Sequence, residues 1–210
     1  MQKDDIKKIL DILEETYPDA ECALDHQDVF QLLVCVVLSA QTTDKSVNRV
    51  SPELFGRYPD ALALSKADQS DVENILHSIG MYRTKAKNII SLAKELTAKY
   101  DGIVPDTYEE LVSLPGVGRK TANVVLSVGF GRQRIAVDTH VFRVSNRIGL
   151  VHEDNVLSTE LALMECIPEE RWSRTHHSLI FHGRMICDAR KPKCKECPLA
   201  ELCLWDSKNI

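Results

Sequence analysis

The sequence predicts an all-α protein, and three observations carry that expectation. Apolar residues recur at i, i+3, i+4 and i+7 in segment after segment, the stripe of amphipathic helices. No stretch shows a convincing alternation of period two, the mark of a half-buried strand. No repeat of solenoid length is present, and no low-complexity linker interrupts the 210 residues.

The elements follow in order. Lys3 to Tyr17 carries Ile6, Ile9, Leu10 and Leu13 on one stripe, and Pro18 ends it. Asp28 to Ala40 is nearly all apolar, and its length favours a buried helix over a strand. Gln41-Thr42-Thr43-Asp44 is a polar break, with Asp44 expected to cap the helix bearing Val47 and Val50. Val72, Ile75, Leu76 and Ile79 form a further stripe, which Gly80 is expected to close. Lys85 to Leu96 comes next. After Gly102 and Pro105, Tyr108 to Leu114 is a short helix, and Arg119 to Ser127 is another. Arg134-Ile135-Ala136-Val137 reads as a brief extended piece. Asp138-Thr139 then opens a helix with Val141, Val144 and Ile148 on one face, Asp138 being its natural N-cap. Leu157 to Ile167 and Trp172 to Met185 complete roughly ten helices.

Composition narrows the function. The chain is 44% hydrophobic, enough for a sizeable core, yet no apolar run approaches the ~20 residues of a membrane span. Met1-Gln2-Lys3-Asp4-Asp5 lacks the apolar core of a signal peptide, so a cytoplasmic protein is expected. Net charge is −5, which weighs against nucleic-acid binding unless a local basic patch supplies it. Seven cysteines, an odd count without a signal peptide, do not make a disulfide framework.

The stretch that organises the chain is Leu114-Pro115-Gly116-Val117-Gly118-Arg119-Lys120-Thr121-Ala122. A proline–glycine turn feeds directly into a helix. Gly116 and Gly118 can take positive φ and let a backbone or a phosphate come close. The helix start offers unpaired N–H groups and a positive dipole end, so the stretch is an anion site suited to a phosphate diester. Lys120 stands where that dipole prefers an anion, which favours a neutral amine, and a neutral amine is a nucleophile. The plain alternative is a tight helix–helix turn.

The C-terminal cysteines are Cys187, Cys194, Cys197 and Cys203, spaced x6, x2 and x5. Four thiolates in so short a segment can converge on one metal centre. The spacing leaves zinc and an iron–sulfur cluster both open. The same segment holds the missing positive charge: Arg184, Arg190, Lys191, Lys193 and Lys195 against Asp188 alone. A metal-stapled loop would hold these cations in fixed geometry for phosphates.

Taken together, these features resemble the endonuclease III family of DNA glycosylases, in the helix–hairpin–helix superfamily. The resemblance covers essentially the whole chain. It rests on Leu114 to Asn123, on Ala136-Val137-Asp138-Thr139-His140-Val141-Phe142-Arg143, on His182-Gly183-Arg184, and on the cysteine spacing. It implies a [4Fe–4S] cluster on Cys187, Cys194, Cys197 and Cys203. It implies two helical lobes: residues 22–132, with the helix–hairpin–helix, and residues 1–21 joined to 133–210, with the cluster loop at 187–203. Double-stranded DNA with a damaged base or abasic site would lie in a cleft between them. The enzyme would act as a monomer, without a membrane, on the nucleoid of a prokaryote.

The resemblance also implies roles. Lys120 is the nucleophile and Asp138 the catalytic carboxylate of a bifunctional glycosylase and AP lyase acting on oxidised pyrimidines. Gln41 fills the space of the flipped nucleotide. Position 81 is usually leucine in the family, wedged into the duplex; here it is Met81, also apolar but more flexible. Gly116, Gly118, Arg184 and Lys191 are expected at the DNA backbone. His140 and His182 read as DNA contacts or, more simply, as satisfying buried partners. Two other readings compete: a monofunctional mismatch glycosylase, whose relatives lack a lysine at the turn, and a non-catalytic DNA-binding or electron-transfer module.

Overall fold

Eleven α-helices and several shorter turns follow one another along the described residues, 1–209 of the computed structural model, with no strand among them. The helices are α1 (Lys3–Thr16), α2 (Val29–Leu38), α3 (Asp44–Arg57), α4 (Ala61–Ser65), α5 (Gln69–Leu76) and α6 (Tyr82–Tyr100). They continue as α7 (Tyr108–Ser113), α8 (Arg119–Val124), α9 (Thr139–Ile148), α10 (Val156–Cys166) and α11 (Trp172–Met185). The chain divides into two compact units, Ala23–Gly131 and Met1–Cys22 with Arg132–Ile210.

The unit Ala23–Gly131 is built around α2. Every residue from Phe30 to Leu38 is buried, as a helix that is apolar all round must be. It packs on α3, α6 and α8, and α6 packs in turn on α4 and α5. Asp28 caps α2 through the Gln31 N–H at 2.8 Å, and Asp60 caps α4 through Ala63 at 2.7 Å. Such caps satisfy donors that the first helical turn leaves open.

Three local expectations are corrected here. The cap of α3 is Thr43, whose Oγ1 accepts the Ser46 N–H at 3.2 Å; Asp44 is the first helical residue. Thr43 has the extended backbone that a cap needs, and Asp44 instead places its charge in the first turn. Gly80 does not close α5, which ends at Leu76; the left-handed residue is Met81, with φ 56° and ψ 32°. The helix expected to run from Arg119 to Ser127 is α-helical only to Val124, then widens into a π turn over Val125–Gly129.

In the other unit, α11 packs on both α1 and α9. Its core includes Ile9, Leu10, Leu13, Val141, Val144, Ile148, Leu163 and Leu179. Arg171 ties α11 to α1 with 2.8 Å bonds to Asp11 and Glu14. Arg174 donates to the Tyr17 carbonyl at 2.7 Å, holding the chain where α1 ends. Ile135, Ala136 and Val137 are buried, and no strand is formed among the described residues.

Candidate functional site

The glycine turn joins α7 to α8, which pack on each other. Leu114 and Val117 are buried beneath it, and the Val117 N–H closes on the Leu114 carbonyl at 3.1 Å. Gly116 has φ +78°, and an added Cβ would stand 3.3 Å from Asn88 Cβ and 3.4 Å from Val37 Cγ1. Conformation and crowding both require glycine there. Gly118 differs from expectation: its backbone is extended, φ −97° and ψ 179°, and nothing lies within 4 Å of an added Cβ. Its lack of a side chain leaves the start of α8 without a side-chain cap and open from outside. That is the polarity and access an anion needs. Arg119 braces the two helices, donating to the Tyr108 hydroxyl at 3.3 Å. Lys120, the second residue of α8, is exposed.

Gln41 and Met81 are exposed, and both are left-handed, with φ 52° and 56°. Among the described residues only Asp101 shares this among non-glycines. A left-handed side-chain residue costs on the order of 1–2 kcal/mol, and such outliers gather at ligand clamps. Met81 sits at the start of α6. One helical turn on, Lys85 is buried and its amine donates to the Thr42 hydroxyl, beside Gln41. Sequence reading did not single out Lys85; a lysine on a helical stripe reads as solvated.

Asp138 caps α9. Its Oδ1 accepts the N–H groups of His140 and Val141, each at 2.8 Å, and neither bond uses Oδ2. Capping therefore holds the side chain in place and keeps one oxygen uncommitted to the cap. Gly183 of α11 sits where a Cβ would meet His140 Cβ and Nδ1, each at 3.0 Å. Arg143 Nη2 crosses the same contact, donating to the Gly183 carbonyl at 2.9 Å and the Cys187 carbonyl at 3.0 Å. The segment His182-Gly183-Arg184 thus includes a close α9–α11 approach. Arg184 is exposed in the last turn of α11.

The loop after α11 is braced from α9. Arg147 donates to the Asp188 carbonyl at 2.7 Å and the Ala189 carbonyl at 2.9 Å, and its guanidinium lies 4.1 Å from the Trp205 ring centroid. Asp188 Oδ1 accepts the N–H groups of Arg190 and Lys191, bonds that hold its carboxyl below the usual range. Lys191 is exposed on that turn. His182 is buried, and burial pushes its ring down to about 4, so the ring is neutral. Its Nδ1 is 3.0 Å from the Tyr17 hydroxyl and its Nε2 3.6 Å from Cys197 Sγ. Burial, with the nearby Cys197 and Cys187, raises Tyr17 to about 12, so the phenol keeps its proton.

Cys187, Cys194, Cys197 and Cys203 line one pocket together with Arg147, His182 and Lys208. Four thiolates lining one pocket are a donor set that fits a [4Fe–4S] cluster.

Comparison with known proteins agrees with these features. Residues 34–169 match the family described as HhH-GPD superfamily base excision DNA repair protein, and residues 187–203 match the iron–sulfur binding domain of endonuclease III. The endonuclease III of Bacillus subtilis is 51% identical over 205 residues, covering 97% of this chain and 94% of the relative. That of Synechocystis sp. is 50% identical over 197 residues, covering 93% and 90%. The fold is similar, at TM-score 0.93 and 49% identity, to a trapped endonuclease III–DNA covalent intermediate, with 97% of this chain and 96% of that one covered.

Proposed function

Because the chain belongs to the endonuclease III family of the HhH-GPD superfamily, we propose that Lys120 is the amine that attacks the damaged nucleotide and Asp138 the carboxylate that serves it. The family places the chain among base excision repair enzymes with DNA glycosylase and AP lyase activity, which carry a [4Fe–4S] cluster and act on DNA. No helix is long and apolar enough to cross a membrane, and these relatives are bacterial. The proposed place of work is the nucleoid.

The reaction follows from the groups present. The target nucleotide leaves the stack so that C1′ can be reached. Asp138 accepts a proton from the Lys120 ammonium, freeing its lone pair. Lys120 Nζ bonds to C1′ as the C1′–N bond breaks, and the base departs with that electron pair and takes up a proton. The sugar ring opens to a Schiff base on Lys120. Loss of a proton from C2′ then expels the 3′ phosphate by β-elimination. Water releases the lysine and the sugar fragment.

Gln41 fills the vacated space, and Met81 wedges the opposite strand. Gly116, Gly118, Arg184 and Lys191 hold the backbone, with oxidised pyrimidines as the substrates. The four cysteines hold the cluster, whose contribution is to staple the basic loop. The observation that carries this reading is an exposed lysine one residue into a helix whose start is bare and reached through the Gly116–Gly118 turn. The related protein captured as a covalent DNA intermediate supports it.

The test is Lys120→Ala on a duplex with one abasic site. Strand nicking should fall by about three orders of magnitude or more, with DNA binding retained. Equal nicking by the variant would refute the assignment.

A further inference from the structure

We propose that the Lys85–Thr42 hydrogen bond is a mechanical tie between the two DNA-probing loops, and that Lys85 is a positioning residue for base extrusion. This rests on the reading of Gln41 and Met81 given above.

Two loops of the same unit each present one exposed residue in the left-handed region, Gln41 at φ 52° and Met81 at φ 56°. Strained residues persist only when their surroundings over-determine them. Lys85 bonds to both loops. Its backbone N–H donates to the Met81 carbonyl at 3.0 Å, and its side-chain amine donates to the Thr42 hydroxyl, next to Gln41. Thr42 is anchored in turn by its N–H on the Ser39 carbonyl at 3.1 Å. The two probing residues are therefore joined through one side chain.

That side chain is a poor choice for stability. Lys85 is 4% exposed, and lysine is almost never so buried unless paired with a charge. Its acceptor is a neutral hydroxyl, and burial lowers the amine below the usual lysine range. A methionine would fill the same space without desolvating an ammonium. The amine's contribution is the bond itself, which fixes the spacing of a plug and a wedge that must enter the duplex together.

Base release needs both loops inserted to extrude a stacked base. Nicking of a preformed abasic site has no base to extrude. The experiment compares these two rates, on a duplex with one thymine glycol and on a duplex with one abasic site. Lys85→Met and Thr42→Val should each lower the ratio of base release to abasic nicking tenfold or more. The double variant should lose no more than either single one, Thr42→Ser should keep the parental ratio, and Lys85→Met should melt no lower than the parent. If Lys85→Met does not fold, Thr42→Val tests the same bond. An unchanged ratio in both variants, or losses that multiply in the double variant, would overturn the tie. Gln41→Ala and Met81→Ala separate the two claims. If they too leave the ratio unchanged, the assignment of the probing residues fails along with the tie. If they lower it while Lys85→Met and Thr42→Val do not, the tie alone fails.

Discussion

The Tyr17 hydroxyl lies 3.0 Å from Nδ1 of His182, although 165 positions separate them in the chain. The contact joins the end of α1 to α11 and orients an imidazole whose other nitrogen faces Cys197 Sγ at 3.6 Å. The contact fixes the ring beside one of the four cysteines proposed to hold the cluster. Tyr17→Phe and His182→Phe should each cost about 1–3 kcal/mol, since each strands one partner of a buried hydrogen bond. Chemical denaturation measures both, and visible absorbance should bleach faster under chelator in the His182 variant.

Gly183→Ala should separate α9 from α11. The new Cβ would stand 3.0 Å from His140 Cβ and 3.1 Å from Arg143 Nη2. Forcing extra volume into such a contact costs about 1–3 kcal/mol. The melting temperature should fall and iron content should drop with it, because Arg143 braces the Cys187 carbonyl across this contact.

Much of this was legible in sequence, and the reasons differ by residue. The stripe of Ile6, Ile9, Leu10 and Leu13 reads as α1 because burial follows the helical period. Asp138 reads as a cap because its bonds reach only two and three residues ahead. Thr43 was missed because Thr-Asp offers two adjacent caps, and only backbone angles choose between them. Met81 is legible as the wedge residue but not as the left-handed one, because glycine is the default there and the sequence points to Gly80. Lys85 and Tyr17 were missed because their partners come from distant segments.

Acid should destabilise the fold partly through His177. Burial lowers this ring below the usual value near 6.5, with Glu21 opposing the shift and Arg174 adding to it, and His176 stacks on it at 4.7 Å. The folded state then binds fewer protons than the unfolded state once pH drops below about 6.5. Its contribution is intact above that pH and is lost as pH falls. Melting temperature against pH should show a shallower acid decline for His177→Gln than for the parent.

The net charge of −5 should weaken non-specific DNA binding and confine it to low salt. A salt titration on undamaged duplex measures this. Binding should vanish at lower salt than for a basic member of the family, and a matching titration would contradict the expectation.

Borohydride reduction on an abasic duplex tests the central assignment most directly. The account predicts a covalent protein–DNA adduct, mapped by peptide mass to Lys120, which disappears in Lys120→Ala. An adduct on another residue, or none with Lys120 intact, would contradict it.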